Sequence, residues 1–156
     1  MNRVIAAAVL FGLSSSYAWA QADAPAESGS GVFSEQYFLD HASESAKSGD
    51  LDAAAQFFQS AIIYAPHDPI PYHRLGQLYA RSGQRELAQQ YFGLALNVEP
   101  AYAPALEGLA LLALAAGNRA GAEAQRDILL RACGATCPET ALVERALNAD
   151  KGTPAN

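Results

Sequence analysis

From residue 33 to residue 150, apolar side chains recur at helical spacing. Tyr72, Leu75, Gly76 and Tyr79 stand at i, i+3, i+4 and i+7, which lays an apolar stripe along one face of a helix. The segments on either side repeat the pattern, and no stretch alternates as a half-buried strand would. Gly49, Gly83 and Gly117 interrupt the stripes, each followed by a polar residue and then an Ala-rich helical segment. Glycine is the cheapest residue at a left-handed helix C-terminus, so these positions predict a tight turn between two helices. Pro66 and Pro100 close the second helix of a pair, and Pro69 and Pro104 stand just inside the next, where proline is tolerated.

The punctuation is periodic. A shift of 34 residues superposes Gly49, Gly83 and Gly117, then Ala54, Ala88 and Ala122, then Ala42, Gly76 and Ala110. Large positions keep register too: Phe38, Tyr72 and Leu106 share a column, as do Phe58 and Phe92. Small residues at fixed places allow close helix approach, and the aromatics fill the space left around that contact.

This period and these columns resemble the tetratricopeptide repeat family, and the chain is similar to an exported bacterial member of it. Tyr72, Leu75, Gly76, Tyr79, Gly83, Ala88, Phe92, Ala95 and Pro100 occupy the signature positions of the middle repeat. The first repeat departs with His41 and Ser45, and the third with Arg126 and Gly134, as terminal repeats do where one face lacks a neighbouring repeat. The resemblance implies an all-α fold, a right-handed superhelical stack of three helix-turn-helix repeats at about 35–68, 69–102 and 103–136, within a domain spanning 33–150. A capping helix at about 137–149 is expected to follow. Thr136 and Glu139 offer it a capping box, and Ala141, Leu142, Ala146 and Leu147 are its expected apolar cover. Residues 151–156 are expected to fray.

The resemblance also implies a concave groove lined by the first helix of each repeat. Its positions are Gln36, Leu39, Ser43 and Lys47, then Ile70, His73, Gln77 and Arg81, then Pro104, Glu107, Leu111 and Leu114. Ser43, Lys47, His73, Gln77 and Arg81 are the candidate partner-binding residues. Relatives that grip a terminal carboxylate use Lys, Asn and Arg at positions held here by Leu39, Ser43, His73, Gln77, Glu107 and Leu111, so that clamp is missing. Lys47 and Arg81 remain available to an acidic segment, or simply stand as solvated charges near helix ends. Leu111 and Leu114 have a second reading as packing under the last helix.

The N-terminal segment reads as an export signal. Arg3 precedes an apolar run from Val4 to Leu13, and Ala18-Trp19-Ala20 supplies small residues at a cleavage site, so processing after Ala20 is expected. Residues 21–32 form a linker without periodicity. With 16 acidic and 10 basic residues among 156, the net charge is −6, and no Lys or Arg run offers a footprint for phosphate backbones, so nucleic acid is not an expected partner. The apolar run is shorter than the roughly 20 residues of a membrane span, so no membrane insertion is expected.

Export to the periplasm or beyond implies an oxidising compartment and bears on Cys133 and Cys137. A disulfide across Gly134 is the favoured reading. It closes a loop so small that it contributes only about 2 kcal/mol. A redox-active pair and a zinc site are the alternatives, weakened by the unusual spacing and by the distance of His41, His67 and His73 in sequence. His67 and Asp68 lie at a proline-rich corner beside His73, where exposure to water is expected. No Ser stands in a nucleophile turn, and no catalytic group, metal or cofactor is assigned. Two function classes follow. The first is a non-catalytic adaptor or scaffold that holds a peptide or helix of an envelope assembly or biogenesis partner. The second is a redox accessory protein using Cys133 and Cys137. A short stack with one apolar end also has the means to form a homodimer.

Overall fold

The computed structural model describes residues 33–150, so the expected signal peptide (1–20), linker (21–32) and tail (151–156) lie outside the described residues. Within them the chain forms α1 (Glu35–Ser48), α2 (Leu51–Tyr64), α3 (Pro69–Arg81), α4 (Arg85–Val98), α5 (Ala103–Ala115), α6 (Arg119–Ala132) and α7 (Pro138–Asp150), with no strand among the described residues. Consecutive helices pack as antiparallel pairs, α1 with α2, α3 with α4 and α5 with α6, and each pair stacks on the next.

Local chemistry sets the helix ends. Ser34, Asp50, Asp68 and Asn118 accept hydrogen bonds from Tyr37 N, Ala53 N, Ile70 N and Gly121 N, satisfying otherwise orphaned first-turn donors. At the turns inside the pairs, Gly49, Gly83 and Gly117 have φ of 87°, 79° and 72°. The next backbone N–H then reaches back the same way three times, from Asp50 to Ser45 O, Gln84 to Tyr79 O and Asn118 to Ala113 O, at 3.0, 2.9 and 2.8 Å. One turn geometry is thus built from one glycine column. Between pairs, the Tyr72 hydroxyl donates to Pro66 O at 3.2 Å and ties α3 to the preceding corner.

The small columns are the core. Ala42, Ala54, Ala88, Ala110 and Ala122 have no exposed surface, and Gly76 is buried with them. Phe58 sits with Ala42, Ala54, Leu75 and Leu78 between the first two repeats; Phe92 sits with Ala88, Ala95 and Ala105 between the second and third. The backbone approach is closest around Phe92. A Cβ added at Gly76 would stand 2.7 Å from Phe92 Cδ1, and one added at Gly108 2.6 Å from Phe92 Cζ. The ring is clasped by a bare patch of α3 on one edge and of α5 on the other.

α7 covers the end of the stack as expected and buries Leu147 as expected, but the rest of its buried face and its cap differ. Thr140, Val143 and Leu147 are its buried residues, joining Leu106, Ala110, Ala122 and Leu129, while Ala141 is exposed and Leu142 and Ala146 only half-buried. The helix begins at Pro138, which makes Cys137 its cap residue and leaves Thr136 one residue too early for a capping box with Glu139. Arg119 fastens the far end, donating to Glu123 Oε1 at 3.0 Å, Leu147 O at 2.9 Å and Asp150 Oδ2 at 2.8 Å. The apolar surface that stays open is at the first repeat, where Phe33, Ile63 and Tyr64 are all more than half exposed.

Candidate functional site

The first helices of the pairs, α1, α3 and α5, line up on one side of the stack. On α3, His73, Gln77 and Arg81 follow one another at four-residue spacing and therefore share a face. That face is the wall between two hollows. One, of about 180 Å³, is bounded by Ser43, Ala46, Lys47, Phe58, Arg74, Gln77 and Arg81. The other, of about 340 Å³, is bounded by His73, Gln77, Ala80, Arg81, Phe92, Pro104, Glu107, Gly108, Leu111 and Leu112. The structure thus places Ser43, Lys47, His73, Gln77 and Arg81 along one continuous groove, with Gln77 and Arg81 facing both halves.

The halves differ in chemistry. Lys47, Arg74 and Arg81 gather at the smaller hollow, and among the described residues none of them makes an ion pair. The Ser43 hydroxyl donates to Leu39 O at 2.7 Å, which leaves its oxygen to accept. The larger hollow is floored by the Phe92 ring and walled by Leu111, Leu112 and Pro104. Its single carboxylate, Glu107, is raised above the usual carboxylate range by burial and by the nearby Glu139 charge.

His73 departs from the expected exposure at its corner. It is only 7% exposed, packed against Phe92 with ring centres 5.7 Å apart and edge-on to Tyr102 at 5.6 Å. Burial, reinforced by the Arg74 charge, pushes its imidazole from 6.5 down to about 4, so it is neutral at physiological pH. His67 is exposed as expected, and His41 is half-buried, hydrogen-bonded through Nδ1 to Tyr37 O at 2.8 Å and lying against Phe57. The three histidines do not converge.

Two groove residues escaped the sequence reading. Arg74 lies one position off the predicted groove face, and Gly108 falls at a repeat position held by Arg74 and Asp40 in the other repeats, so no small-residue column marks it. Leu111 and Leu114 separate: Leu111 walls the groove, and Leu114 packs into the cluster under α7.

At the stack's end the structure joins Cys133 and Cys137 as a disulfide, with Cα atoms 5.6 Å apart across the left-handed Gly134 at φ 84°. Glu139 Oε2 lies 2.9 Å from Cys137 Sγ. These three residues bring their ligand atoms within 4.8 Å of one another, but sulfurs bonded to each other are not thiolate ligands.

Paired helices in 34-residue units, buried small columns and a groove along the first helices define an α-helical repeat protein. A family model described as tetratricopeptide repeat matches residues 45–97, so that part of the chain is a tetratricopeptide repeat. Protein NPGR2 of Arabidopsis thaliana is 38% identical over 81 residues, a match taking 52% of this chain and 11% of that protein. The chain therefore spans only a small part of this relative's length. Among solved structures, the Yersinia enterocolitica secretion chaperone SycD, in complex with a peptide of the translocator YopD, superposes with a TM-score of 0.65 at 22% identity, over 74% of this chain and 91% of that one. The first tetratricopeptide domain of RPAP3, bound to an HSP90 peptide, gives 0.64 at 16% identity, over 74% and 94%. Identities this low show the shared fold.

Proposed function

We propose that this protein is a non-catalytic protein–protein interaction module that holds a segment of a partner protein in the groove between α1, α3 and α5. The observation that carries the reading is the groove itself: a continuous channel on a stack of helices, with cations that pair with no carboxylate among the described residues at one half and open apolar surface at the other. Peptide complexes of SycD and RPAP3, which share the fold, support it by analogy. The finer reading is a periplasmic adaptor or scaffold in envelope assembly or biogenesis. Its support is the sequence of residues 1–20, and it predicts a mature chain that begins at Gln21 by intact mass. The Cys133–Cys137 pair serves here as a staple on the last corner, in keeping with an oxidising compartment.

Photo-crosslinking in cells tests the groove. A crosslinking residue at Gln77, exposed and common to both hollows, is compared with one at Gln90, exposed on α4. A defined protein trapped at Gln77 and not at Gln90 is the expected result. Identical patterns at both positions would remove the groove from the account.

A further inference from the structure

The groove is asymmetric in a way that specifies what it takes. Three cations, Lys47, Arg74 and Arg81, converge on the smaller hollow, whose lining contains no carboxylate, in a chain whose net charge is −6. Their positions explain this only in part. Lys47 and Arg81 stand in the last turns of α1 and α3, where the helix dipole favours a positive charge. Arg74 stands in the middle of α3 and still joins them, so the cluster exceeds what the helix ends require. Next to it, across Gln77 and Arg81, the larger hollow offers Phe92, Leu111 and Leu112 to an apolar side chain.

A hollow of about 180 Å³ takes one side chain, so a segment meets the two hollows through two separate side chains, whose spacing in sequence reports its backbone form. Neighbouring grooves in a helical stack are separated by about one interhelical distance, roughly 10 Å. An extended chain covers that in about three residues, and a helix would need about seven.

We propose that the groove recognises an extended segment of a partner protein carrying an acidic residue three positions from a large apolar one. The carboxylate lies between Lys47 and Arg81, and the apolar side chain enters the hollow beside Leu111. This deepens the groove reading and rests on it. The ligand's carboxylate is a side chain within the segment, which distinguishes the site from a terminal-carboxylate clamp, whose residues this chain lacks.

The test is selection of an unbiased displayed library of twelve-residue peptides on the full-length protein, followed by anisotropy titration of the enriched peptides. Enriched sequences are expected to share an acidic and a large apolar residue three positions apart. Their affinity should fall at least tenfold in the double variant Lys47→Ala, Arg81→Ala and in Leu111→Ser, and stay unchanged in Gln90→Ala. The double variant should also lose most of the salt dependence. Peptides that depend on Leu111 but carry no acid, or that keep full affinity in the double variant, overturn this inference and leave the groove reading standing. A spacing of about seven with helix formation on binding likewise overturns it in favour of a helical ligand. No enrichment, or peptides indifferent to all three groove positions, overturns both.

Discussion

At the residue scale, the fold turns on how little room surrounds Phe92. Alanine at Gly76 or Gly108 would place a Cβ 2.7 or 2.6 Å from the ring, which is closer than packing allows. Overpacking of this kind costs about 1–3 kcal/mol, more than the roughly 0.5–1 kcal/mol that alanine gains over glycine in a helix. Gly76→Ala and Gly108→Ala should each lower Tm by several degrees in the native chain and by much less when introduced into a Phe92→Leu background, because each pair shares one contact. An unchanged Tm in the single variants would show that the ring has room to move. Only half of this clasp was legible beforehand. Gly76 belongs to a column read within the repeat, whereas Gly108 meets Phe92 across two repeats, a contact that periodicity does not encode.

His73 makes a second residue-scale prediction. Its imidazole is held at about 4 in the folded chain against 6.5 for an ordinary histidine, so the unfolded chain takes up the proton first as pH falls. The stability it supports is complete above about pH 6.5 and is lost progressively down to about pH 4. Urea midpoints measured across that range should fall, and His73→Gln should flatten this part of the decline; an identical slope in the variant would contradict the burial. A proline-rich corner suggested exposure because the repeat pattern does not show Phe92 of the paired helix α4 and Tyr102 of the corner before α5 closing over the ring.

At the element scale, the helices were legible because glycine, proline and cap residues mark their ends in every repeat. α7 was legible as a helix but its buried face was not, since it stands outside the repeat and has no second copy to fix its phase. Its start follows the Cys133–Cys137 corner, which brings Thr140, Val143 and Leu147 onto the core instead of Ala141, Leu142 and Ala146. As a staple, that corner should contribute about 2 kcal/mol. Denaturation with and without reductant should differ by about that amount in the native chain and not at all in the variant Cys133→Ser, Cys137→Ser. Groove binding should survive reduction; its loss on reduction would favour the redox role over the staple.

At the scale of the whole molecule, the stack provides a stiff frame and the groove a chemically polarised channel, with cations at the α1–α3 half and apolar surface at the α3–α5 half. The sequence showed which columns face the groove through the repeat register. It did not show the polarity, because Arg74 comes from off the predicted face and Leu111 had two readings until the position of α7 separated it from Leu114. Amide shift mapping of the full-length protein on titration with the segment trapped at Gln77 shows where that segment sits. Perturbations are expected to concentrate on α1, α3 and α5, at Ser43, Lys47, Gln77, Arg81 and Leu111. Perturbations centred on α2, α4 and α6, or on the open apolar end at Phe33 and Tyr64, would contradict the groove reading.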